Sequence, residues 1–245
     1  MKPAFALLLS LSFVCQLSVG QDSLLWRKVI CYDGKADIFP AGWLDKKTKA
    51  SATAPDTAGF QQDSLILDRA FSKYPGDIIS KAVRRIYLLG RLRFNGKNFF
   101  GTNSRYDIYM ALENNDEIER TFHHELSSIL FRNNPHFKIQ EEWERLSPAE
   151  LLSISSADAM KAGYSSTDYA PDLLEKGYLS RYSLSNWEND FNIYAEELFC
   201  GGKTFWMLAD KYPRVLQKTR LIIRFYKEKV DGLFDEVYFR ALAVE

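Results

Sequence analysis

The chain has 245 residues, with 32 basic and 32 acidic side chains and no formal net charge. Nucleic-acid binding depends on a basic surface and is excluded on that ground. Past the N-terminus no apolar stretch approaches the roughly 20 residues that a membrane-spanning helix needs, so membrane association is expected only through an N-terminal lipid anchor.

Residues 1–20 read as a signal peptide. Lys2 supplies a positive start, an apolar run of about 11 residues extends from Ala4 to Val14, and Ser18-Val19-Gly20 places small residues at a cleavage site. Cleavage after Gly20 leaves Gln21 first. The competing reading lipidates Cys15, although Val14 before it is bulky for such a site. Both readings export the protein, to the periplasm, the outer membrane or the cell surface. The exported part keeps about 225 residues, enough for one large domain. It contains Cys31 and Cys200, for which an oxidising compartment permits either a disulfide or two separate thiols.

Residues 21–62 form an irregular leader with at most one short strand, and residues 63–245 the main domain. Helices are expected over Ser64–Phe71 and Asp77–Val83, separated by the turn Tyr74-Pro75-Gly76. Arg85–Leu89 and Asp107–Leu112 are β-prone runs, with the glycine- and asparagine-bearing stretch Asn95–Ser104 between them. The main helix begins near Asn114-Asn115-Asp116, runs to Arg132 and is stopped by Asn133-Asn134-Pro135. Ile118, Phe122, Leu126, Ile129 and Leu130 lie on one face of it at steps of three and four, which makes that face core. One or two short helices follow over Lys138–Ala162. Helices over Asp190–Tyr212, Arg214–Lys229 and Asp231–Ala243 complete the chain. The fold class is therefore α+β and mostly helical, with a small mixed sheet preceding a central helix and a helical C-terminal half.

The three histidines, His123, His124 and His136, fall within fourteen residues of one another. Helical geometry places Thr121, His124, Glu125 and Ser128 on neighbouring positions beside the apolar stripe. A helix bearing His-Glu and a second His four residues on is a zinc-hydrolase arrangement. Two imidazoles hold the metal and the glutamate activates a bound water. Here the motif reads His124-Glu125-Leu126-Ser127-Ser128, with a serine at the second ligand position. His123 cannot simply replace that ligand, because adjacent helical residues point about 100° apart. The residues alone also allow structural readings: His123 on the helix surface or under a loop, His136 exposed, and Glu196-Glu197 as surface charge. Phe191, Tyr194, Phe199, Phe205 and Trp206 read as core, and Trp187 as lining a cleft or stapling a helix start.

The succession "RRIYLL", "YDIYMAL", "TFHHELSSIL" and "GYLSRYSLSNWENDF" resembles the zinc-binding metallopeptidases of gluzincin type, over roughly Leu65 to Tyr226. Many of these are exported lipoproteins linked to nutrient import at bacterial outer membranes. The resemblance implies a zincin-like fold whose second strand edges the active-site cleft. It implies Zn2+ with His124 as first ligand, Glu125 as general base, and an acidic third ligand on a downstream helix. The simplest alignment puts that acid at Asn189, with Glu188 beside it as the nearest carboxylate. His123, His136 and Glu196 are alternative ligands. Two functions follow as expectations. One is a non-catalytic binding or accessory component of nutrient import that takes a peptide, a protein or an import-system partner. The alternative is an active zinc-dependent peptidase with a rearranged ligand set.

Overall fold

The computed structural model describes residues 23–56, 59–113, 116–135, 137–147, 158–159 and 168–244. The segment read as a signal peptide, with Cys15, the expected cap at Asn114-Asn115, His136 and most of the stretch after Leu146 lie outside the described residues. The architecture is α+β and mostly helical. It begins with α1 (Ser23–Trp26), β1 (Val29–Cys31), a 3-10 turn at Ala41–Trp43 and β2 (Ser51–Ala52). The helices α2 (Phe60–Ser72) and α3 (Ile78–Ala82) come next. Strands β3 (Arg85–Leu89), β4 (Leu92–Phe94), β5 (Lys97–Phe99), β6 (Gly101–Asn103) and β7 (Asp107–Ala111) follow.

The main sheet has the order β1-β3-β7-β6, with the first three strands parallel and β6 antiparallel to β7. Residues Ile86–Leu89 and all of β7 are buried, as expected of central strands covered on both faces. The period of two divides them. Ile86, Leu88, Ile108 and Met110 join the main helical core, whereas Tyr87, Leu89, Tyr109 and Ala111 join a smaller core on the other face. There Tyr87 stacks on Tyr109 at 5.0 Å, and Phe39 and Trp43 pack over Tyr109. The second sheet, β2-β4-β5, is antiparallel and adds Phe94 and Phe99 to this smaller core.

The segment read as an irregular leader thus contains two strands and a 3-10 turn. Their pairing partners are distant: Val29 registers with Ile86 and Ala52 with Leu92. Such pairing leaves no mark in the local pattern.

The central helix α4 (Ile118–Arg132) packs among α2, β6, β7 and a C-terminal helix, with its whole apolar stripe buried. It stops where expected, and Asn134 Nδ2 donates to the Leu130 carbonyl at 2.9 Å to satisfy one terminal acceptor. Beyond it lie α5 (Ile139–Leu146), α6 (Pro171–Leu174), a 3-10 turn at Tyr182–Ser185, α7 (Trp187–Cys200), α8 (Gly202–Lys211), α9 (Pro213–Phe225) and α10 (Glu236–Leu242). The single helix expected over Asp190–Tyr212 is two helices. Gly202 takes φ +57, and a Cβ on Gly201 would lie 2.6 Å from Phe205 Cβ, so the chain turns sharply there. The helix expected over Arg214–Lys229 ends in a π turn at Tyr226–Val230. None of the described helices is long and apolar enough to cross a membrane.

Cys31 and Cys200 are not bonded to each other, so the disulfide considered from sequence is not formed. Cys31 is exposed on an edge strand, while the Cys200 sulfur faces Glu119 and His123. The basic helix α9 also departs from a simple amphipathic reading. Lys218 points inward, fully buried, and its ammonium lies 2.6 Å from Asp190 and 4.3 Å from the centre of the Tyr178 ring. Trp143 Nε1 donates to the same Asp190 oxygen at 2.7 Å. This network ties α5, α7 and α9 together. Replacing Lys218 by Met leaves the Asp190 carboxylate buried without its cation, and should cost about 3–5 kcal/mol in urea unfolding. A loss below about 1 kcal/mol would show that the pair does not hold these helices.

Candidate functional site

The polar edge of α4 meets one face of α7. His124, Ser128 and Arg132 are spaced four apart, and so are Glu196, Asn192 and Glu188, which makes each set one helical face. The two faces pair in antiparallel register. His124 Nδ1 lies 2.6 Å from Glu196 Oε1. Ser128 Oγ accepts from Asn192 Nδ2 at 2.8 Å and donates to Glu188 Oε1 at 2.7 Å. Arg132 donates to Glu188 at 3.3 Å.

Strand β6 closes the other side. Asn103 donates from its amide to Glu125 and accepts from Arg132, which also donates to the Ser104 carbonyl at 3.1 Å. Gly101 lies directly over the helix. A Cβ there would come within 2.6 Å of Thr121 Cγ2 and 2.9 Å of Glu125 Oε1, so only glycine permits this approach. The resemblance implied that the second strand edges the cleft. The strand at the edge is instead β6, from the glycine- and asparagine-bearing stretch between the two β runs.

Burial sets the electrostatics. Burial opposes a charge on His124, but the hydrogen bond it donates to Glu196 and the charges of Glu196, Glu125 and Glu188 outweigh it and raise its pKa above 6.5. Burial pushes the Glu125 carboxyl up, with His124 and Asn103 acting in opposition. His124 and Glu196 therefore form a coupled buried pair, in which burial also pushes the Glu196 carboxyl up.

The other residues singled out in the sequence divide clearly. His123 is fully buried, so it is no surface histidine. Its Nδ1 meets the Tyr74 hydroxyl at 3.0 Å and its ring stacks on Phe199 at 4.4 Å, on the side of α4 away from the cleft. Glu196 and Glu197 are buried rather than surface charge, and Glu197 is held by Arg120 and Tyr169. Asn189, where the alignment places the acid, instead donates to Ser185 Oγ at 2.7 Å near the helix start. Trp187 packs edge-on against Phe131, at 5.0 Å between ring centres. The residue that faces Ser128 is Asn192, with Glu188 one turn away. Asn192, Asn103 and Arg132 were missed in the sequence. The four-residue step from Glu188 through Asn192 to Glu196 is the signal that could have found Asn192.

These residues do not fit a catalytic zinc. Such a site takes about three ligands of imidazole, carboxylate or thiolate type. Around His124 the face offers one imidazole, the Glu196 carboxylate already hydrogen-bonded to it, the neutral Ser128 hydroxyl and the neutral Asn192 amide, and Glu188 Oε1 is already shared by Ser128 and Arg132. Among the described residues, the grouping of three His, Cys, Asp or Glu side chains with ligand atoms within 4.8 Å of one another is Glu119, His123 and Cys200, which does not include His124.

No family model and no curated protein matches the chain. Among solved structures, it is similar to an inferred zinc-binding metallo-peptidase from Bacteroides caccae, with 14% identity and a TM-score of 0.50 over 74% of this chain and 73% of the other. The fold is metallopeptidase-like. The likeness covers the architecture, and the ligand chemistry has to be judged on this chain's own residues.

The His124–Glu196 pair makes a pH prediction. Because the folded pKa of His124 is raised, the stability it contributes is complete below the unfolded value of about 6.5 and is lost as pH rises through the folded value. An NMR titration should place the His124 imidazole above 6.5, and Glu196→Gln should move it down. An unchanged midpoint in that variant would contradict the pairing.

Proposed function

We propose that this chain is an exported binding protein that keeps a metallopeptidase-like fold without peptidase chemistry. One observation carries the reading: Ser128, Asn192 and Glu188 hydrogen-bond to one another across the faces where ligands would have to converge. A hydroxyl and an amide satisfy each other without a metal, and Glu188 is engaged by both Ser128 and Arg132.

Arg132 supports the same reading. Its guanidinium brings a fixed cation to Glu188 and, through Asn103, to the neighbourhood of Glu125. The charge that a metal would neutralise is thus met from within the chain. Glu125 accepts from Asn103, so the carboxylate that would take a proton from water is already engaged by a side-chain amide.

Binding would use the free edge of β6. Among the described residues that strand ends its sheet, and its outward backbone groups suit an extended peptide or protein segment added as a further strand. Phe100 and Tyr106, both exposed, flank the edge. We place the protein in the periplasm, the outer membrane or the cell surface, as an accessory to nutrient import. This placement rests on the signal-like residues 1–20 and on the family resemblance. An active zinc peptidase would require Glu188 to leave Ser128 and Arg132, and nothing in the site favours that state.

The test is incubation with a mixed peptide library, read by mass spectrometry of released ends. No cleavage should distinguish the wild type from Glu125→Gln, while peptides recovered with the protein keep intact termini. Cleavage that disappears in Glu125→Gln would overturn the non-catalytic reading.

A further inference from the structure

Away from the cleft, α4 presents a second polar group to the end of α7. Glu119 and His123 are one turn apart, and Cys200 completes the group, with one ligand atom from each within 4.8 Å of the others. His123 is fully buried and its Nε2 has no hydrogen-bond partner. A buried imidazole nitrogen left unpaired costs about 1–3 kcal/mol, so its orientation calls for a ligand. The nitrogen points toward Glu119 Oε1, 3.8 Å away, too far for a hydrogen bond but near the separation of two ligands that share one metal ion.

The surroundings are those of a ligand set already oriented. On the far side of the ring, His123 Nδ1 meets the Tyr74 hydroxyl at 3.0 Å, and Phe199 stacks against the ring face, so the imidazole cannot turn. A hydrogen-bond partner on the other ring nitrogen is the usual companion of a metal-binding histidine. Glu119 is held ionised and fixed. Arg69 donates to Oε2 at 2.8 Å, and the Lys73 ammonium lies 2.7 Å from Oε1 as an ion pair without hydrogen-bond alignment. Cys200 is the least buried of the three.

We propose that Glu119, His123 and Cys200 form a site for copper(I). A thiolate and an imidazole suit a soft ion. The charge balance selects a monovalent one. The Cys200 thiol releases its proton to solvent as the S–Cu bond forms, so one positive charge replaces another with no change in oxidation state. A divalent ion would add a net positive charge beside Lys73, Arg69 and Arg120. The site is independent of the cleft, since His123 and His124 leave α4 about 100° apart.

The experiment uses the full chain with Cys15→Ala and Cys31→Ala, reduced and anaerobic, competing with bicinchoninate for copper(I). This parent should withdraw one equivalent. Cys200→Ala in the same background should bind at least ~10-fold more weakly, and His124→Ala should bind as the parent does. Circular dichroism checks that each variant is folded. Near-ultraviolet absorption from a copper–thiolate bond on the parent reads the site without any change to its ligands. Copper(I) left with the chelator by the folded parent, or equal binding by folded Cys200→Ala, would overturn the proposal. So would saturation of the parent without the thiolate band.

Discussion

The hydrogen bonds that Ser128 makes with Asn192 and Glu188 decide what this fold can do. They lie at the centre of the register between α4 and α7, with His124–Glu196 on one side and Arg132–Glu188 on the other. Each neutral contact there is a modest contribution, of roughly 0.5–1.5 kcal/mol for a typical hydrogen bond. Their larger effect is chemical, because they settle the polar groups of a metallopeptidase-like helix pair among themselves. Among the described residues His124 brings the one imidazole to this face and pairs with Glu196, while Arg132 brings its guanidinium to Glu188.

Two adjacent histidines on one helix have opposite environments because a helix turns about 100° per residue. His124 meets carboxylates, and its pKa is raised. His123 meets Tyr74, Phe199 and Tyr74's aromatic neighbours, and burial, only partly offset by Glu119, holds its pKa down at about 4. The paired letters His123-His124 therefore carry two separate arguments. α7 faces both, with Glu196 turned to His124 and Cys200 one turn later turned toward His123.

The elements that a local pattern can encode were legible. The stripe Ile118, Phe122, Leu126, Ile129 and Leu130 located α4 and its buried face, and the β run Arg85–Leu89 matched β3 residue for residue. The mixed α+β, mostly helical class followed from these. Elements that depend on distant partners were not legible. β1 and β2 are short, and their strand character comes from pairing with β3 and β4. The edge strand β6 sits in a stretch whose glycine and asparagine read as a loop, yet Gly101 is what allows it to lie on α4. In the site, His124, Glu125 and Ser128 were found from their spacing. Asn192 was not, because an alignment on the acidic letters drew attention to positions 188 and 189. Only the facing helix shows that the residue opposite Ser128 lies a full turn after Glu188. Lys218 likewise sits in a basic run whose other cations are exposed, and nothing local marks it as the one paired with Asp190.

The central claim is that the cleft around His124 holds no zinc. It is tested most directly by zinc affinity, measured by competition with a chromophoric chelator on untagged protein in a Cys200→Ala background, with and without His124→Ala. The account predicts that the two titrations superimpose. One equivalent of tightly held zinc that disappears with His124 would contradict it, and would mean that Glu188 and Asn192 give up their hydrogen bonds to build a metal centre.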